Sequence, residues 1–157
     1  MGQYFKAVNL DKREYVCPWC IGGGAKLWEW AANAYGAVFT LLLRKSSGSG
    51  GGDYYGYRTQ DIHLPEGGNP AESLAKAIRA TASLEGRPVC PDPDTTVGRW
   101  AGDRVALVGD YDESKLWDEL PTYRNISAEV VRDWNAFIAI PKMRLTHNPE
   151  CSCSKHS

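Results

Sequence analysis

The stretch from residue 98 to residue 112 reads GRWAGDRVALVGDYD and is the most densely specified segment of the chain. Its centre is a continuous apolar run, Val105 to Val108, with a Gly-Asp pair on each side. A short apolar run bounded by turn residues is typical of a buried β-strand, and valine at both ends favours strand over helix. We therefore predict a central, fully buried strand over 104–109, with a Gly-Asp turn before and after it.

The segments around this strand predict the rest of the fold. Residues 3–10 carry apolar side chains on both faces, as in a strand inside a sheet, and Glu14–Val16 returns as its hairpin partner. Apolar spacing and capping residues predict helices over 25–35, 69–85 and 127–137, the last one capped by Ser127; the run 37–43 is ambiguous but favours a helix. The predicted fold is α+β: a small, mainly antiparallel sheet packed with three or four helices.

Composition and length indicate one soluble globular domain. The 157 residues are 24% charged and 43% hydrophobic, and we assign 1–141 to the domain and 142–157 to a C-terminal tail with the composition of a flexible segment. The net charge of −1 argues against nucleic acid as the main partner. No apolar run is long enough to span a membrane and no leader opens the chain, so we predict a cytoplasmic protein. A protein partner stays open, and the sequence does not specify an oligomeric state.

The cysteines offer the clearest candidate site. Cys17 and Cys20 form a CxxC motif, which is half of a zinc site, a dithiol redox pair, or two buried thiols that happen to be close. Glycines separate Cys20 from the next helix, which weakens the redox interpretation because the first thiol lacks a helix N-terminus. Cys151 and Cys153, with His147 and His156 nearby, could supply the remaining zinc ligands. The sequence therefore requires no cofactor but leaves a zinc site open; Cys90 is left unpaired.

A second, weaker candidate site lies at the two ends of the predicted central strand. Arg99 and Asp103 precede the strand, and Asp110 and Asp112 follow it. Paired carboxylates in a cleft can carry out acid–base chemistry, whereas the ordinary alternative is a solvated turn before a short helix around Trp117. Downstream, Asn125-Ile126-Ser127 matches an N-glycosylation sequon, which matters only outside the cytoplasm.

Several motifs also resemble a known family. The quoted segment, the opening MGQYFKAVNLDKREYV, the GGGAKLWEW of residues 22–30 and the later ISAEVVRDWN are similar to small uncharacterised proteins of prokaryotes, their viruses and some fungi. The resemblance covers most of residues 1–138 and attaches no activity to any residue. CPWC and the cysteine-rich tail lie outside the shared pattern, so no family-wide metal site is implied. A viral relationship would imply a protein that acts on a host or cellular partner.

Three classes of function follow from these observations. A non-catalytic binding or interaction protein is favoured, because aromatic residues are abundant and no catalytic or phosphate-binding motif stands out. The first alternative is a small enzyme with an acidic site around Asp103, Asp110 and Asp112. The second alternative is an interaction module stabilised by zinc.

Overall fold

The computed structural model describes residues 2–46, 95–138 and 140–153. Within these ranges, a four-stranded mixed sheet and four α-helices form one domain, which confirms the α+β prediction. The strands are β1 Phe5–Asn9, β2 Glu14–Val16, β3 Val105–Gly109 and β4 Arg124–Asn125. The helices are α1 Leu27–Ala32, α2 Val38–Leu42, α3 Leu116–Glu119 and α4 Ser127–Phe137. Short 3-10 helices cover Trp19–Ile21, Ala34–Ala37, Leu120–Thr122 and Pro141–Met143.

The strand order of the sheet is β3-β1-β2-β4. β1 pairs antiparallel with both β2 and β3, and β2 pairs parallel with β4. The predicted hairpin and the predicted strand over 104–109 are confirmed, but the central position of that strand is wrong. β3 ends the described sheet, Ala106 is exposed, and β1 is the strand between two neighbours. An apolar run indicates burial on average, and it does not specify how many neighbours a strand has.

Both faces of the sheet are covered, and we name each face by what covers it. On the helical face, Ala7 of β1 and Val16 of β2 pack in a large apolar cluster with α2 and α4. On the cysteine face, Val8 of β1 and Tyr15 of β2 pack in a smaller cluster with Cys17, Cys20, Val108, Trp117 and Leu120. Because successive side chains of β1 point to opposite faces of the sheet, this one strand contributes residues to both apolar clusters.

The helical predictions are mostly confirmed, with two corrections. The predicted helix over 25–35 stops at Ala32, because Asn33 is extended, and a 3-10 turn follows. The ambiguous run 37–43 is helical, and α4 has the predicted bounds.

The cap of α4 is the second correction. Ile126 occupies the N-cap, so Ser127 is the first helical residue and not the cap. The Ser127 hydroxyl is engaged elsewhere, because it accepts the backbone N–H of Cys17 and donates to Oδ1 of Asn125. The serine that the sequence predicts as the cap of α4 therefore links this helix to Cys17, the residue that follows β2.

The C-terminal segment lies along α4. Trp134 donates its indole N–H to the carbonyl of Met143, and Asn135 makes two hydrogen bonds to the backbone of Leu145. Leu145 is itself buried in the cluster of the helical face. These contacts fix the direction in which the chain continues toward Cys151.

Two predictions lie outside the described residues: the helix over 69–85 and the unpaired state of Cys90. None of the helices in the described ranges is long and apolar enough to cross a membrane.

Candidate metal centre

Four free cysteines converge on the cysteine face. The sulfur atoms of Cys17, Cys20, Cys151 and Cys153 all lie within 4.8 Å of one another. The Sγ atoms of Cys20 and Cys153 are 3.2 Å apart, well beyond the roughly 2.05 Å of a disulfide bond. In a tetrahedral zinc site with Zn–S bonds of about 2.3 Å, sulfur atoms lie about 3.8 Å apart. The four thiols therefore occupy a volume that suits one tetrahedral metal ion.

The first pair is positioned by the turn that follows β2. Pro18 precedes a 3-10 helix over Trp19–Ile21, and the N–H of Cys20 donates to the carbonyl of Cys17 at 3.1 Å. Gly22 ends the turn with a φ of 81°, a left-handed conformation that favours glycine. This tight turn brings both thiols to one side of the chain, and both residues are buried.

The second pair is brought to the first by hydrogen bonds of the backbone. The N–H of Asn148 donates to the carbonyl of Cys20 at 2.8 Å, and the N–H of Cys151 donates to the carbonyl of Asn148 at 3.3 Å. With the bonds from α4 to Met143 and Leu145, these contacts bring the CxC motif beside the CxxC motif. Cys151 and Cys153 are half-buried and pack on the small cluster.

Asn125 supports the site from β4. Its side-chain amide points at two sulfur atoms, with Nδ2 3.3 Å from Sγ of Cys153 and 3.5 Å from Sγ of Cys20. Its Oδ1 accepts hydrogen bonds from the backbone N–H and the hydroxyl of Ser127. Those bonds fix which end of the amide faces the thiols, as outer-shell partners do at metal sites. The apparent sequon is thus a part of the site.

The thiols share hydrogen bonds, which separates their pKa values. Hydrogen bonds from Cys17 and Cys20 lower the pKa of Cys153 to about 2. The same bonds to Cys153 and Cys20, followed by burial, raise the pKa of Cys17, and burial raises the pKa of Cys151 to about 12. Of the three thiols with shifted pKa values, Cys153 therefore loses its proton most readily. A bound cation would favour the thiolate form at all four cysteines, because metal-bound thiols are deprotonated.

This geometry disfavours dithiol redox chemistry at CPWC. Redox cysteines are exposed thiols of low pKa, often at the N-terminus of a helix. Cys17 is fully buried, its pKa is raised, and only a three-residue 3-10 helix follows it. The arrangement suits a set of metal ligands better than an attacking thiol.

The residues before β3 are engaged in structural bonds. Arg99 makes a two-pronged ion pair with the buried carboxylate of Glu14, with distances of 2.9 Å and 2.6 Å. Glu14 also accepts the indole N–H of Trp100. Asp103 accepts hydrogen bonds from Lys12 and Asn9, which hold the pKa of this carboxyl below its usual value. These contacts tie the β1–β2 hairpin to the loop before β3.

The residues after β3 lie at the other end of the strand. Asp110 accepts the backbone N–H of Tyr4 at 3.0 Å, and Asp112 accepts hydrogen bonds from the backbone and hydroxyl of Ser114. The five residues of β3 span about 16 Å, so Asp103 and Asp110 are not brought together. The structure assembles the cysteines into one cluster and leaves the four charged candidates in two places.

Sequence reasoning missed three residues around the thiols: Lys6, Asn125 and Ser127. Lys6 reads as one polar position in an alternating strand, and Asn125 reads as a sequon. No local pattern shows that either side chain lies beside thiols from distant segments. His147, which we considered as a ligand, is exposed and outside the cluster, and His156 lies outside the described residues.

The chain was also compared with known proteins. No family model, no curated protein and no solved structure matches it.

Proposed function

We propose that this protein is a non-catalytic interaction module in which one zinc ion, held by Cys17, Cys20, Cys151 and Cys153, joins the N-terminal hairpin to the C-terminal segment. The observation that carries the proposal is the approach of four thiols, from two distant segments, to within 4.8 Å of one another. Four thiolates in a tetrahedron are a common ligand set of structural zinc.

The ligand set supports a structural role for the ion. Catalytic zinc keeps one coordination position open for water or substrate, whereas structural zinc has four protein ligands. All four positions are supplied here by thiols. Two of those thiols belong to buried residues and two to half-buried residues, so a substrate would have little access to the metal.

The charged candidates support a non-catalytic role. Arg99 and Asp103 are held in structural bonds, and the Asp110 and Asp112 carboxylates bond to neighbouring backbone. In the part of the chain that the structure describes, they form no shared cleft. The enzyme alternative would need an acidic pair within reach of one substrate, and Asp103 and Asp110 do not provide it.

An apolar surface at α1 supports binding to a partner. The side chains of Leu27 and Trp28 are 54% and 67% exposed. Beside them is a groove of about 500 Å³ whose lining includes Leu27, Trp30, Phe39 and Leu107. Exposed aromatic side chains are enriched at protein interfaces. A zinc ion on the opposite face would hold the sheet rigid while this surface makes contacts.

The test is metal analysis of the reduced full-length protein. We expect about one zinc per chain, as for a site with one set of four ligands. The four thiols should react with a disulfide reagent only after a chelator removes the metal. Cobalt(II) in place of zinc should give the absorption of a tetrahedral site with sulfur ligands.

Two cysteine variants complete the test. Cys151→Ser should lose most of the bound zinc and unfold at a lower temperature. Cys90→Ser is the matched control, because it makes the same change at the fifth cysteine, and it should retain the metal. A wild-type protein without zinc whose thiols react freely, or whose mass shows disulfides under reducing purification, would contradict the proposal.

A further inference from the structure

Lys6 is a charged residue buried within the sheet. It lies in β1 between β2 and β3, points to the cysteine face, and is only 3% exposed. Burying an ammonium group is unfavourable unless an opposite charge or several hydrogen bonds replace its water shell. The groups around the ammonium therefore determine how unfavourable its burial is.

The groups around the ammonium only partly replace its water. The Nζ atom lies 4.3 Å from the ring centre of Trp117, and 5.7 Å and 5.9 Å from those of Tyr15 and Trp19. It also donates a long hydrogen bond of 3.4 Å to the backbone carbonyl of Cys153. None of the ion pairs among the described residues involves Lys6. Aromatic rings and a carbonyl attract a cation, but they carry no net negative charge.

The negative charge next to this lysine is largest when metal is bound. A divalent ion with four thiolates carries a net charge of −2, and one of those thiolates belongs to Cys153, whose carbonyl contacts Nζ. We propose that Lys6 is the counter-charge of the cysteine centre and strengthens its hold on the metal. This inference rests on the proposed zinc site, and Lys6 acts as a positioning residue since it is not a ligand.

The two charges stabilise each other. In the low-dielectric interior, a fixed positive charge favours the four thiolates that the metal requires. In return, the anionic centre offsets the unfavourable burial of the ammonium. Lysine at this position therefore favours the metal-bound centre, with its four thiolates, more than the metal-free cluster, which carries less negative charge.

The test compares Lys6→Met with the wild type. Methionine keeps an unbranched side chain of similar length and removes the charge. We expect zinc affinity, measured by competition with a chelator at fixed pH, to fall about 10- to 100-fold, as for other outer-shell partners of metal ligands. The cobalt(II) spectrum at saturation should keep its tetrahedral form, which shows that no ligand is lost. Lys6→Arg, which keeps the charge, should retain more affinity than Lys6→Met.

The control and a second measurement separate charge from packing. Lys12→Met makes the same change at an exposed lysine of the hairpin turn and should leave zinc affinity unchanged. Lys6→Met should lower the stability in denaturant less in the metal-free protein than in the metal-bound protein, because the metal-free cluster carries less negative charge. A purely structural role for Lys6 would instead lower the stability of the metal-free and metal-bound forms alike.

The outcomes distinguish this inference from the proposal on which it rests. If the wild type binds zinc and Lys6→Met binds it equally well, or loses the same stability with and without metal, the counter-charge role is overturned and the zinc site stands. If the wild type itself binds no zinc, both are overturned.

Discussion

The helical face and the cysteine face of the sheet are closed by different physical means. On the helical face, large apolar side chains such as Trp100, Leu41 and Val130 are almost completely buried. The small cluster on the cysteine face has few apolar residues and encloses a lysine and four thiols. The first face depends on burial of apolar surface, and with the proposed zinc site the second depends also on the chemical state of its sulfur atoms.

This difference has a consequence for how the two faces respond to conditions. Apolar burial contributes about 25 cal/mol per Å² regardless of oxidants or chelators. A site of four thiols is stable only while the thiols stay reduced and bound to metal. We therefore expect the cysteine face to open first when metal is removed, while the helical face keeps its packing.

Truncating a leucine on each face is the strongest test of this comparison. Leu41 on the helical face and Leu120 on the cysteine face are both buried. Each change to alanine should lower the free energy of unfolding by about 2–5 kcal/mol, because it leaves a cavity. Leu41→Ala should leave zinc affinity within about twofold of the wild type, as distant sites are nearly additive.

Leu120→Ala should weaken zinc binding clearly, since its cavity opens on the side of the sheet that holds the thiols. Unfolding in denaturant with zinc and with a chelator measures both effects. Equal losses of zinc affinity in the two variants would show that the faces are not independent.

Acid should also distinguish the two faces, through a smaller change in the free energy of unfolding. Burial alone would raise the pKa of Asp133 in α4, but hydrogen bonds from Arg132 and Thr96 outweigh burial and lower the pKa. A carboxyl whose pKa is lower in the folded state than in the unfolded state stabilises the fold at pH values above its unfolded-state pKa, here 3.8. This stabilisation is lost as the pH falls through the folded-state pKa.

Asp133→Asn should therefore cost about 1–2 kcal/mol at pH 7. The difference from the wild type should shrink as the pH falls below the unfolded value. Thermal unfolding of both proteins from pH 7 to pH 3 checks this pH dependence. A chelator is present throughout, because it removes the separate effect of acid on metal binding. A difference that stays constant over this range would exclude the carboxylate as its source.

The acidic end of β3 belongs to neither face and should show the smallest effect. Asp110→Asn and Asp112→Asn remove charges whose bonds are to nearby backbone at the surface. Each should change the free energy of unfolding by no more than about 0.5 kcal/mol. Neither change should alter the zinc content. A larger change would show that this turn helps to close one of the two cores.

Local patterns in the sequence were sufficient for several of these features. The alternation in Phe5–Asn9 indicated a strand covered on both faces, and the spacing of apolar residues indicated α4 with its observed bounds. The CxxC motif was recognisable because thiols at this spacing are typical of metal ligands, whereas the CxC spacing of the second pair is less typical. Each of these patterns depends on residues that are neighbours in the chain.

Features that depend on distant residues could not be predicted. Arg99 was a candidate binding residue, but its partner Glu14 is 85 residues away. Lys6 gave no signal, because only the packing of α3 and of the C-terminal segment shows that it is buried. The position of β3 at the end of the sheet follows from pairing, which an apolar run of four residues does not encode.

The distance along the chain between the two cysteine pairs also changes the denatured state. Cys20 and Cys153 are 133 residues apart. If a metal ion stays on the thiols in denaturant, the unfolded chain becomes a ring. Closing a loop of this size lowers the conformational entropy of the unfolded chain and so raises its free energy by about 5 kcal/mol at 25 °C. Such a ring is more compact than an open chain and exposes less new surface on unfolding, so the dependence of stability on denaturant concentration becomes less steep. The metal would then act on the unfolded chain as a removable crosslink.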